Sequence, residues 1–234
     1  MQSEVLVEAR KFLVERLKDS GNYNESRHPW RRDWQFAVLH SLRIEAYVLK
    51  ILERQDHHLT PRDVILLRLA AILHDISRLE KREGHAQASA QVAAGWLRTL
   101  PGFDLADDEI ETVSGMIAAH SDKNFQDGNF SLSILKDADT LDEIGVMSIF
   151  MAANWVESHS PFYFYDLRAR LVEVEIPFCQ QKLALLNTSG ARQILEGKMS
   201  FIQNFIAQLN DELQAGPQVG TLLNVPASLE GFNL

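Results

Sequence analysis

The chain has 234 residues, 46% of them hydrophobic, enough for one well-buried core. Its formal net charge of −9 repels polyanions, so broad binding to DNA or RNA is not expected; it does not exclude a single nucleotide whose phosphates are met by a metal and a few local cations. The single cysteine, Cys179, rules out an intramolecular disulfide and fits a reducing compartment.

The N-terminal stretch carries Glu4, Glu8 and Glu15 among its apolar residues, unlike a secretory leader. No segment reaches the roughly 18 consecutive apolar residues of a membrane span. A cytoplasmic protein without membrane contact is expected.

Helical periodicity dominates the chain. Val5, Phe12, Leu13 and Leu17 mark a first amphipathic helix ending near Gly21, followed by a polar loop to Pro29. A long helix is predicted from about Asp33 to Glu53, with Phe36, Leu39, His40, Ile44, Tyr47, Val48 and Ile51 on one broad face. Thr60-Pro61-Arg62-Asp63 then supplies an N-cap, a proline at the first helical position and an acid at the third. The helix it starts runs through VILLRLAAIL and closes on His74-Asp75.

Helices follow at His85 to Leu100, stopped by Pro101-Gly102, and at Asp107 to about His120. After a loop with Asp127-Gly128-Asn129, a helix starts near Ser131 and runs through Asp139, with a continuation past Trp155 left open. Another segment begins at Ser160-Pro161. Val172-Glu173-Val174-Glu175-Ile176 alternates like a short strand, and Ile194 to Leu213 reads as the last helix. The expectation is an all-α, single-domain bundle over 1–214 and a Gly-, Pro- and Asn-rich tail over 215–234 that packs on the core, on a second subunit, or loosely.

Three of these helices aim polar groups inward. His40 shares a face with Phe36, Ile44 and Tyr47; His74 sits above Ala70 and Leu67; Asp139 lies over Leu135 and Leu132, with Asp142 close behind. A carboxylate in an apolar interior costs several kcal/mol unless it is paired or bound to metal. A lone buried histidine is most often bonded to a backbone carbonyl, and a lone aspartate at a helix end is most often a cap. The combination is harder to dismiss, because facing helices can close such groups on one ion.

The set His40, His74-Asp75 and Asp139 resembles the HD superfamily of metal-dependent phosphohydrolases. The similarity extends to Leu39-His40-Ser41-Leu42-Arg43-Ile44, Ala71-Ile72-Leu73-His74-Asp75-Ile76 and Lys136-Asp137-Ala138-Asp139-Thr140-Leu141-Asp142-Glu143-Ile144-Gly145, a motif core over 33–155. The resemblance implies an all-helical fold of the HD-domain type and one divalent metal held by His40, His74, Asp75 and Asp139. It implies cleavage of a phosphate ester or anhydride by attack of a metal-bound water. The substrate it implies is a small phosphorylated molecule, a nucleotide foremost. Two imidazoles and two carboxylates suit Mn²⁺, Fe²⁺, Co²⁺, Ni²⁺ or Zn²⁺ better than Mg²⁺.

In a subset of that family, histidines placed like His85 and His120 lie near the substrate or bind a second metal. Asp75 is a candidate for orienting the water, and Arg43 and Lys136, each one turn from a ligand position, are candidate substrate cations. Arg43 is equally a brace for a carboxylate, and Asp142 a group that holds a ligand His or Arg. Arg78, Lys81 and Arg82, which follow the doublet closely, read as further substrate cations or as solvated surface, Arg31 and Arg32 as rim or plain surface, and His57-His58 as solvated. The aromatic run Phe162 to Tyr165 reads as core, dimer contact or a base platform. Trp30, Trp34, Trp96 and Trp155 read as packing residues.

His120 is not followed by the His and Gly-Tyr-Pro pattern of the cyclic-di-GMP branch. The doublet is not followed by the acidic pair of the alarmone hydrolases. Both substrates are disfavoured. A non-catalytic HD-like metal-binding signalling or scaffold module is the competing reading, but such modules usually lose a ligand. Homodimerisation is left open.

Overall fold

The computed structural model describes residues 2–20, 26–56, 58–81, 83–100, 105–123 and 128–214. Two compact units are formed, one from Met1–Asp142 with Leu185–Ile194, the other from Glu143–Ala184 with Leu195–Leu234. Among the described residues every regular element is helical, and no helix is long and apolar enough to cross a membrane. Asp127, the Pro101-Gly102 stop, His57, Arg82 and the tail over 215–234 lie outside the described residues.

In the first unit, α1 (Gln2–Asp19) buries Val5, Ala9, Leu13 and Leu17 at four-residue spacing, and Phe12 stacks on Trp96 with ring centroids 4.7 Å apart. A short 3₁₀ turn, Pro29–Arg32, leads to α2 (Trp34–Leu52), capped by the Asp33 side chain accepting from the Gln35 amide. The buried face of α2 is narrower than the sequence implies, since Leu39 points to solvent.

Helix α3 (Pro61–Leu73) starts at the expected cap, where Thr60 accepts from the Asp63 amide. It is buried nearly all round, with Leu67 and every residue from Leu69 to Leu73 inaccessible, which marks it as a central helix rather than an amphipathic surface one. It packs against α1, α2, α5 and α6. α4 (His85–Thr99) and α5 (Asp107–Ala119) pair with each other, and α6 (Phe130–Leu141), capped by Asn129, packs on α2 and α3.

Ion pairs set the seating of α1 and α3 on α2. Buried Glu45 accepts from Arg10 at 2.6 and 3.0 Å and from Arg68 at 2.7 and 3.0 Å. Asp137 of α6 accepts from the backbone and side chains of Asn187 and Thr188, tying Leu185–Ile194 to this unit.

The second unit holds α7 (Val146–Ala153), α8 (Tyr163–Arg170), α9 (Ile176–Leu185) and most of α10 (Ser189–Leu213). One open reading is resolved here and two expectations are corrected. The helix through Asp139 does not continue past Trp155; Glu143 and Gly145, with φ of 62° and 94°, break the chain between α6 and α7. Val172 to Ile176 is not a strand either, since Leu171–Glu175 forms a π-helical turn that carries α8 into α9. Helix α10 also starts earlier than expected, at Ser189 rather than Ile194.

Candidate metal centre

The first unit alone assembles the candidate site. His40 comes from the middle of α2, His74 is the C-cap of α3, Asp75 follows it in the turn, and Asp139 lies in the last turns of α6. Their donor atoms meet. His40 Nε2 lies 3.2 Å from His74 Nε2, 3.7 Å from Asp75 Oδ2 and 3.4 Å from Asp139 Oδ1. His74 Nε2 lies 3.8 Å from each of those two oxygens.

The second nitrogen of each ring is already committed. His40 Nδ1 donates to Asp142 Oδ2 at 2.7 Å, and His74 Nδ1 donates to the Ala71 carbonyl at 2.8 Å. That carbonyl is the acceptor expected for a histidine closing a helix. With Nδ1 protonated, a neutral ring turns an Nε2 lone pair inward. Two such lone pairs and two carboxylate oxygens facing one point form a donor set that could hold a cation between them.

Protonation without a metal follows the same logic. Burial opposes a charged His40, but its hydrogen bonds to Asp139 and Asp142 outweigh that and push it up to about 9. Burial pulls His74 down to about 4. Burial also disfavours ionised Asp75 and Asp139, yet their imidazole, guanidinium and ammonium neighbours outweigh it. His74, His120, His40 and Arg78 hold Asp75 below the ordinary carboxylate range, and Lys123, His74 and His40 do the same for Asp139. A proton on His40 Nε2 thus occupies the place an ion would take.

A second group adjoins the first. Asp75 Oδ1 lies 3.3 Å from His85 Nε2 and 3.4 Å from His120 Nε2. It is buried and makes no hydrogen bond. His120, at the C-terminus of α5, donates Nδ1–H to the Ile117 carbonyl at 2.6 Å, repeating the arrangement of His74. An orphaned buried carboxylate oxygen beside imidazole nitrogens is a donor set that a divalent metal fits.

Other predicted residues fall differently. Arg43 forms a fork to Asp142 at 2.7 and 2.8 Å and lies over the Phe36 ring, so the carboxylate-bracing reading is the one its contacts match. Burial opposes ionised Asp142, and His40 with Arg43 still holds it below its ordinary value. Lys136 is buried, on α6, rather than set at a solvent-facing mouth. Arg32 is turned to the Ser26 carbonyl, whereas half-buried Arg31 senses the charges of Asp142, Arg78 and Arg43. Lys81 and His58 are exposed. The aromatic run Phe162 to Tyr165 belongs to the second unit, where Tyr163 and Phe164 meet edge to face.

Sequence reasoning missed Lys123. Its Nζ lies 2.5 Å from Asp139 Oδ2, leaving Oδ1 to face the histidines. Its proximity to His120 in the chain was the only available signal.

Residues 38–144 match the HD domain family model, which identifies this stretch as an HD domain. That family is one of metal-dependent hydrolases. Among curated proteins no match is found.

Solved structures share the all-α fold. One, described as a predicted HD superfamily hydrolase from an uncultured Thermotogales bacterium, is 23% identical, with a TM-score of 0.59 over 88% of this chain and 92% of that one. Bacillus subtilis YpgQ in complex with ADP is 18% identical, with a TM-score of 0.59 over 92% of this chain and 97% of that one. Listeria innocua Lin1889 is 19% identical, with a TM-score of 0.57 over 92% and 99%.

Proposed function

We propose that the chain is a metal-dependent phosphohydrolase that cleaves a phosphate ester or anhydride of a small molecule, a nucleotide foremost. The observation that carries this reading is the convergence of His40 Nε2, His74 Nε2, Asp75 Oδ2 and Asp139 Oδ1 with both Nδ1 atoms already engaged. Those four residues would hold one divalent ion, for which the donor set favours Mn²⁺, Fe²⁺, Co²⁺, Ni²⁺ or Zn²⁺. Bound there, such an ion supplies Lewis-acid activation of water and of a phosphate oxygen.

The residues around it divide the remaining work. Asp142, clamped by Arg43, fixes the ring plane and tautomer of His40. Lys123 holds one oxygen of Asp139 and leaves the other for the ion. His120 has spent Nδ1 on a backbone carbonyl, so its Nε2, beside Asp75, would be the atom that accepts the proton released by the attacking water and passes it to the leaving oxygen. The acidic chain repels long polyanions but not one nucleotide whose charge the centre meets locally. The ADP held by YpgQ, a protein of like fold, supports a nucleotide as substrate.

The test is a metal analysis of the purified protein joined to a phosphate-release screen over nucleotides and simple phosphate esters. The expected result is a bound divalent ion and turnover of at least one nucleotide, both lost in His74→Ala. Bound metal with no turnover across the panel would instead identify a non-catalytic metal-binding module. A fully active His74→Ala protein would end the proposal.

A further inference from the structure

The second donor group is incomplete as a metal site for a reason visible in its surroundings. Arg78, three residues beyond Asp75, donates from Nη1 to His85 Nε2 at 2.8 Å. The same atom lies 3.9 Å from Asp75 Oδ1. The lone pair that His85 would offer an ion is therefore spent on a guanidinium. A guanidinium stays protonated at any working pH and cannot become a ligand itself.

The charge balance points the same way. The first group has two carboxylates, Asp75 and Asp139, to offset a divalent ion. The second has one shared carboxylate, Asp75, two imidazoles and the positive charge of Arg78. A second dication placed there would meet a fixed cation at the position of one of its own ligands. At such separations like charges repel strongly even at an effective dielectric of about 20.

The geometry is otherwise suitable. The ligand atoms of Asp75, His85 and His120 all lie within 4.8 Å of one another. Asp75 Oδ1 keeps its hydrogen-bonding capacity unspent, because Arg78 stands too far away to bond to it. Arg78 thus meets the charge of the group without using up its oxygen donor.

We propose that Arg78 serves as the second cation of this centre, occupying His85 and restricting the protein to one divalent ion per chain. The inference rests on the reading of the first group as a metal site. It makes Arg78 a determinant of metal stoichiometry, and removal of the guanidinium opens a second ion site on Asp75 Oδ1, His85 Nε2 and His120 Nε2.

The experiment is a count of bound Mn²⁺. Chelator-stripped full-length protein is titrated with Mn²⁺, and free ion is followed by electron paramagnetic resonance. The wild type is expected to saturate at one ion per chain, and Arg78→Met and Arg78→Gln at two. The added ion should vanish in Arg78→Met/His85→Ala, and in Arg78→Met the spectrum should show coupling between ions sharing Asp75. The Arg78 side chain is half exposed, so either substitution leaves the core intact.

A wild-type count of two overturns the inference. So does a count of one in both Arg78 variants, or an added ion that survives loss of His85. A wild-type count of zero sinks the metal reading of the first group, and with it this one, which separates the two failures.

Discussion

The two halves of the centre share Asp75 yet are held in opposite ways. On the Oδ2 side, His40 and His74 each tie Nδ1 to a fixed acceptor and turn Nε2 inward, and among the described residues no arginine or lysine is seen to donate to either Nε2. On the Oδ1 side, an arginine already reaches the histidine that opens α4. The first half could hold an ion, and in the second a cation from the chain itself already bonds to one of the imidazoles. Similar residue types therefore do not make equivalent sites: what decides is where the nearest permanent charge sits.

The largest effect should come from breaking the shared element. Asp75→Ala removes the carboxylate common to both halves and should abolish metal binding and turnover, read by metal analysis and phosphate release. His74→Ala should do the same while leaving the Oδ1 side in place.

Next in size is the support behind His40. Asp142→Asn weakens the acceptor that fixes its ring, and Arg43→Ala frees that acceptor. Each should lower metal affinity or activity roughly 10- to 100-fold, measured by calorimetry, with the fold retained.

The pH dependence sharpens the contrast further. His40 must shed its proton to bind metal, so affinity should rise by up to about tenfold per pH unit and level off near pH 9. Stability of the metal-free protein runs the other way: the raised His40 contributes stability that is complete below its unfolded value near 6.5 and lost as pH rises through about 9. His74, held neutral by burial, costs stability as pH falls from about 6.5 towards 4. Urea melts of stripped protein across this range check both signs.

The smallest effect lies away from the centre. Thr60→Ala removes the cap of α3 and should cost about 1 kcal/mol of unfolding free energy without changing the number of ions bound.

Much of this arrangement was legible in the residues. The Thr60-Pro61-Arg62-Asp63 start sits where its chemistry put it, and the inward faces of α2, α3 and α6 bring His40, His74 and Asp139 together. Face periodicity was enough for α2 and α6, which bury one side, while the unbroken apolar run of α3 puts every residue near its end inside. It failed where no buried face existed. Val172 and Val174 alternate with glutamates, yet both are solvent-exposed, so the alternation reflected no sheet and the chain stayed helical. The break after α6 depended on Glu143 taking a left-handed conformation, which its side chain does not favour and composition does not signal. Lys123, and the contact of Arg78 with His85, escaped because both side chains sit in turns that follow helix ends, where no periodicity constrains direction.

The central claim is that positions 40, 74, 75 and 139 close on one ion. Anomalous diffraction at the manganese edge, from crystals grown with Mn²⁺, tests it directly. The account predicts a single strong peak within coordination distance of His40 Nε2, His74 Nε2, Asp75 Oδ2 and Asp139 Oδ1. A crystal with no peak there, or with manganese bound only elsewhere, would contradict it.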